Sequence, residues 1–94
     1  MNTTLDITTV ENLYNYLDGL FEQNIDDDTL FASGYIRGFI SLAASDYGDE
    51  QQVISEALVN AIGLGLQQAK KELTPQDSVI VQNFWQQLQS KLSY

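Results

Sequence analysis

Apolar residues recur at three- and four-residue intervals in four separate stretches of this 94-residue chain. That spacing places them on one face of an α-helix and differs from the alternation of a half-buried strand. Gly48, Pro75 and a run of three aspartates at 26–28 separate the stretches. The pattern predicts an all-α fold, a single-domain bundle of about four amphipathic helices with short connections, over residues 1–94.

The first and fourth helices have recognisable start signals. Thr8, with a glutamate three residues later, has capping-box spacing before a stripe that runs to about position 23. Thr74 followed by Pro75 is typical of an N-cap and the first helical position. Residues 1–7 are predicted to form a flexible tail, with docking of Leu5 and Ile7 on the first helix as the alternative.

The two middle helices are predicted from less distinct signals. The second begins in the aspartate run, with Asp27 or Asp28 as N-cap, and ends near position 46. It is apolar over much of its circumference, which predicts a central position. The third is predicted over about 50–71, with Asp49 as its cap and two lysines at the negative end of its dipole.

Arg37 is the only basic residue among the first 69 positions. One interpretation is an ion pair within the chain, with the aspartate run or with Asp46. The other is an anchor for an acidic partner or an anion, because arginine presents a planar fork of donors. The many carboxylates nearby favour the ion pair. If that pair is buried, Arg37→Ala is expected to cost roughly 3–5 kcal/mol.

Gly34 and Gly38 flank Arg37 inside the second predicted helix. Each glycine weakens a helix by about 1 kcal/mol relative to alanine. Because they lie four residues apart on one face, they allow another backbone to come close. Close contact with another helix of the same bundle is the leading interpretation, and homodimerisation across that face is the alternative.

The chain contains no cysteine and no histidine. Disulfides, thiolate or imidazole metal sites and histidine-assisted nucleophiles are therefore excluded. The contiguous aspartates lack the alternating spacing of a common calcium loop, so helix capping explains them better. No catalytic constellation, cofactor site or metal site is predicted, and the chain is interpreted as a non-enzyme.

Charge is distributed unevenly along the sequence. Residues 1–69 carry 11 acidic side chains and one basic side chain, whereas the whole chain has a formal net charge of −9. Such an acidic surface disfavours direct binding of nucleic acid or anionic lipid and leaves a protein as the expected partner. No signal peptide or membrane span is visible, which predicts a cytoplasmic location.

Two segments resemble the YfcL-like family of small bacterial proteins. They are Leu-Phe-Ala-Ser-Gly-Tyr-Ile-Arg-Gly-Phe, from Leu30 to Phe39, and Glu-Leu-Thr-Pro-Gln-Asp-Ser-Val-Ile-Val-Gln-Asn-Phe-Trp-Gln-Gln-Leu, from Glu72 to Leu88. Their order and spacing agree with the family over roughly Val10 to Leu92. Some members carry histidine where this chain has Phe39, so no imidazole role applies here. The resemblance implies a small cytoplasmic bacterial protein and supplies no activity.

The sequence therefore predicts a non-catalytic, acidic helical module for protein–protein interaction or regulation. One alternative is a binder of small anionic ligands that uses Arg37 at a glycine-rich helix face. Another is a structural homodimer, and mimicry of nucleic acid is a variant of the first hypothesis. The candidate interaction or structural motif comprises Ser33, Gly34, Tyr35, Arg37 and Gly38.

Overall fold

The computed structural model describes residues 7–94. Four α-helices follow one another in this part of the chain, and a short 3₁₀ turn, Lys70–Glu72, joins the last two. The predicted all-α bundle of four helices is confirmed. The helices are α1 (Val10–Leu20), α2 (Asp27–Ala44), α3 (Glu56–Ala69) and α4 (Pro75–Gln89).

Helix α2 lies at the centre of the bundle, as predicted. It packs against α1, α3 and α4, whereas α3 and α4 have little contact with each other. Its inward stripe consists of Ala32, Ile36 and Ile40, all fully buried. The fully or nearly fully buried residues that the other helices contribute to this core include Val10, Leu13, Leu17, Leu58, Ile62, Leu66, Val81 and Leu88.

The face of α2 that the glycines occupy is turned away from the core. A Cβ built on Gly38 meets no atom within 4 Å, and one on Gly34 meets only the ring of Phe21, at 4.0 Å. The predicted contact of these glycines with another helix of the bundle is therefore wrong. Glycine has no side chain to remove from water, so burying the side with Ile36 and Ile40 gains more free energy.

Three of the four predicted N-caps are displaced along the chain. The observed caps are Thr9 for α1, Asp26 for α2 and Ser55 for α3, each accepting a backbone N–H three residues later. Thr8, Asp27 or Asp28, and Asp49 were the predicted caps, and those assignments are wrong. Thr74 caps α4 as predicted, with Pro75 in the first turn.

Helix α3 begins six residues later than predicted because the preceding segment contacts α1. The carbonyl oxygens of Gln52 and Glu50 accept hydrogen bonds from the backbone N–H groups of Val10 and Glu11, at 3.1 and 2.9 Å. The first-turn N–H groups of a helix have no partner within that helix. An irregular segment after Gly48, whose φ is +147°, supplies those partners.

Ile7 is part of the core and does not belong to a flexible tail. Its side chain is 3% exposed, and its carbonyl oxygen accepts a hydrogen bond from the backbone N–H of Ser93 at 2.9 Å. The docking alternative is therefore confirmed for this residue. The rest of the predicted tail, residues 1–6, lies outside the described residues.

Among residues 7–94, no helix is both long enough and apolar enough to cross a membrane.

We predict that alanine substitution will have different effects at two glycines. Gly38→Ala should stabilise the fold by up to about 1 kcal/mol, because the added methyl group enters open space and alanine favours helix. Gly65→Ala should stabilise less or destabilise, because its Cβ would lie 3.2 Å from the Phe39 ring. Urea unfolding followed by circular dichroism measures both, and equal stabilisation would contradict the packing at Gly65.

Candidate functional site

Arg37 forms an ion pair with Asp18 of α1. Its Nε lies 3.0 Å from Oδ1, and its Nη2 lies 3.4 Å from Oδ2, so the guanidinium fork meets both carboxylate oxygens. The predicted intramolecular ion pair is thus present, but the predicted partners, the aspartate run and Asp46, are wrong. The two side chains are 38% and 55% exposed. Solvent therefore screens the pair, and it is worth little.

The guanidinium of Arg37 also stacks on an aromatic ring of α1. Its Cζ lies 4.4 Å from the ring centroid of Tyr14, within the range of a cation–π contact. Tyr14 and Asp18 are one turn apart on α1, so a single arginine contacts two successive turns. Arg37 therefore links α1 to α2, and Asp18 already offsets the positive charge that an external anion would meet.

The five residues of the predicted motif do not converge on one site. Ser33 is fully buried, and its hydroxyl has no hydrogen-bond partner among the described residues. Tyr35 is half-buried between two aromatic rings of its own helix, with centroids at 5.9 and 5.1 Å. Burial, and to a lesser degree the charge of Glu72, raises the pKa of Tyr35. The five residues lie on different sides of α2, and only the two glycines share an exposed face.

That exposed face carries large apolar side chains on both sides of the glycines. We call the outer face the surface formed by Phe31, Gly34, Gly38 and Leu42. Phe31 and Leu42 are 39% and 69% exposed, and Phe21, beside Gly34, is 53% exposed. The two glycines leave the backbone of α2 uncovered between these side chains. We call this strip of exposed helix backbone between apolar side chains the furrow.

Carboxylates border this furrow at both ends. Asp27 and Asp28 lie in the first turn of α2, just before Phe31, and both are exposed. Asp46 shares a surface depression with Leu42 beyond the other end. Asp26 acts as a cap instead, and its hydrogen bond from the Thr29 hydroxyl lowers its pKa. Within residues 7–94, no three carboxylates are grouped to hold a metal ion.

The structure has a second exposed surface that the sequence pattern did not predict. It is an open groove between α3 and α4 with lysines at one end. The available signal was that Leu64 and Val79 lie next to the core stripes of their helices. Both are 58% exposed in the fold. Leu64 lies within the apolar pattern of the third predicted helix, and that pattern does not show that the two helices diverge.

We predict a small stability loss for Arg37→Met, about 1 kcal/mol or less, because the ion pair and the ring contact are solvent-accessible. Asp18→Asn should cost a similar amount, and 0.5 M salt should reduce both losses. Lys91→Met is the matched control, because Lys91 forms no ion pair with the described residues. Urea unfolding measures all three, and a loss of 3–5 kcal/mol for Arg37→Met would mean that the arginine is buried.

Comparison with known proteins provides the family. The model of the family described as "YfcL protein" matches residues 8–90. The chain is also 36% identical over 80 residues to a protein of Escherichia coli (strain K12) described as "Uncharacterized protein YfcL", covering 77% of this chain and 79% of that relative. No solved structure matches the chain. On the family match and this identity, the chain belongs to the YfcL protein family.

Proposed function

We propose that this protein is a non-catalytic interaction module of the cytoplasm that presents the outer face of α2 to another protein. The observation that carries the proposal is the exposed apolar furrow around two glycines in the middle of a helix. Nothing in the described part of the chain fills the space above Gly38, and only a ring edge approaches Gly34.

The cost of these glycines supports an external contact. In the middle of an exposed helix, each glycine weakens the fold by about 1 kcal/mol relative to alanine. Inside the bundle no close packing offsets this cost, because both positions face solvent. A partner helix laid over the furrow would gain the short backbone distance that only glycine allows. It would also cover the exposed rings of Phe21 and Phe31.

The charge around the outer face indicates the chemistry of the partner. Asp27, Asp28 and Asp46 border the furrow, and the chain as a whole carries a net charge of −9. A partner with lysine or arginine beside its apolar contact residues would be attracted to this border. The same charge repels phosphate backbones and anionic lipid headgroups. The proposed partner is therefore a protein with a basic, amphipathic surface.

Two other functions receive less support from the geometry. A homodimer through the outer face would bring two acidic borders together, and like charges oppose that contact. A small anionic ligand at Arg37 would meet a guanidinium whose charge Asp18 already offsets, with two of its five donors occupied. Experiment distinguishes the two. A homodimer would have twice the monomer mass in solution, and an anion binder would melt at a higher temperature when the anion is added.

We predict that Gly34→Ala with Gly38→Ala will weaken partner binding while it stabilises the fold. The added methyl groups fill the furrow and hold the partner's backbone away, with an expected loss of about tenfold in retention. Partners would be cross-linked in cells, captured with the tagged protein and quantified by mass spectrometry. A variant that is more stable to unfolding but retains less partner has lost an interface, whereas a folding defect would lower both stability and retention.

The matched control for this experiment is Gly19→Ala. Gly19 lies on α1, and a Cβ there meets no atom within 4 Å. This variant makes the same chemical change outside the outer face and should leave partner retention unchanged. Equal retention by the double variant and the control, or capture of no specific protein, would overturn the proposal.

A further inference from the structure

Helices α3 and α4 both pack on α2 and leave an open groove between them. Two adjoining depressions of about 440 and 740 Å³ form the groove and share Gln67, Lys70 and Gln82 in their walls. Val59, near the start of α3, and Gln89, at the end of α4, line the same depression, and Lys70 and Pro75 line the other. The helices therefore run antiparallel along its sides. The eleven residue steps from Val59 to Lys70, at the end of α3, correspond to a length of about 17 Å.

The charge of this groove is opposite to that of the rest of the molecule. Lys70 and Lys71 line its wider end, and they are two of only four cationic side chains in the sequence. None of the acidic side chains of residues 7–94 lines either depression. The two nearest carboxylates in sequence lie elsewhere. Glu72 lines a depression between α2 and α3, and Asp77 is absent from the groove walls.

The walls of the groove combine apolar surface with side-chain amides. Leu64 and Val79 stand on its two sides and are each 58% exposed. The floor includes Trp85, whose indole Nε1 lies 3.6 Å from the position of a Cβ built on Gly63. The absence of a side chain at Gly63 thus keeps the groove open above the indole. An occupant would contact apolar surface along its length and cations at one end.

We propose that the groove between α3 and α4 binds an amphipathic helix of another protein that carries carboxylates at the lysine end. A groove between two antiparallel helices accepts a third helix by ridge-into-groove packing, and its length of about 17 Å matches three helical turns. The occupant's apolar stripe would cover Leu64 and Val79, and its carboxylates would pair with Lys70 and Lys71. This inference goes beyond the proposed function, because it concerns a different surface and a partner of opposite charge.

The net charge of the chain does not prevent this contact. Repulsion by distant carboxylates is screened beyond about 8 Å at physiological ionic strength, whereas the two lysines would lie in direct contact with the occupant. The lysines also suit the negative C-terminal end of α3. That role explains their place in the sequence, but it does not explain the exposed apolar walls or the absence of carboxylates from the groove.

A library experiment tests the charge and the shape together. Displayed 14-residue helical peptides with a fixed leucine stripe, and with Glu, Lys or Gln at the other positions, would be selected on the intact protein. We expect one class of the selected peptides to be rich in Glu near one end, whereas Lys-rich peptides would be those that bind the acidic border of the outer face. One Glu-rich peptide would then be synthesised and titrated while the fluorescence of Trp85, the single tryptophan, is followed.

Charge reversal at the groove would be compared with the same change elsewhere. The variant Lys70→Glu with Lys71→Glu should weaken the peptide about tenfold or more, and Lys91→Glu should leave its affinity unchanged. Lys91 is exposed and does not line the groove. If the double reversal fails to fold, Lys70→Gln with Lys71→Gln should show a smaller loss in the same direction.

Three results would overturn the proposal. They are selection of no Glu-rich peptide, equal weakening by Lys91→Glu, and a Glu-rich peptide whose affinity the groove variants do not change. Gly34→Ala with Gly38→Ala should leave peptide affinity unchanged, because these residues lie on the outer face. Failure of the groove proposal would therefore be distinguishable from failure of the proposed function at the outer face.

Discussion

The whole fold depends on burial of one stripe of α2, formed by Ala32, Ile36 and Ile40. The other three helices pack on α2, and α3 and α4 make little contact with one another. Removing two isoleucine side chains from water contributes several kcal/mol, a large fraction of the stability of a domain this size. This stripe also determines the exposed surfaces, because it turns the glycines outward and leaves a groove between α3 and α4.

Helix number, the central place of α2 and the Thr74 cap could be predicted, because local spacing and capping chemistry specify them. The face of α2 that turns towards the core could not be predicted from the sequence. Apolar residues surround most of that helix, and its orientation depends on the total area buried by the bundle. The partner of Arg37 was equally inaccessible to sequence reasoning. Asp18 lies on another helix, and only the packing of α1 on α2 brings its carboxylate within 3.0 Å.

The candidate motif, Ser33 to Gly38, is continuous in sequence but does not form one site in the fold. Its residues are consecutive or nearly so, and the helix distributes them over the core, the α1 contact and the solvent. Two of the five, Gly34 and Gly38, remain on a surface where a partner can reach them. The groove at α3 and α4 had no distinctive sequence signal, because it arises from the divergence of two helices and from which side chains are absent.

The outer face and the groove carry opposite charge, so the two proposals together describe an adaptor that contacts two different proteins. The most direct test of the central claim is photo-cross-linking in cells from a benzoylphenylalanine placed at position 42 or at position 53. Leu42 and Val53 are equally accessible, at 69% and 65% exposure, but only Leu42 lies on the outer face. If the outer face binds a protein, position 42 gives a discrete protein adduct that is absent from position 53. The same adducts from both positions, or none from position 42, would contradict it.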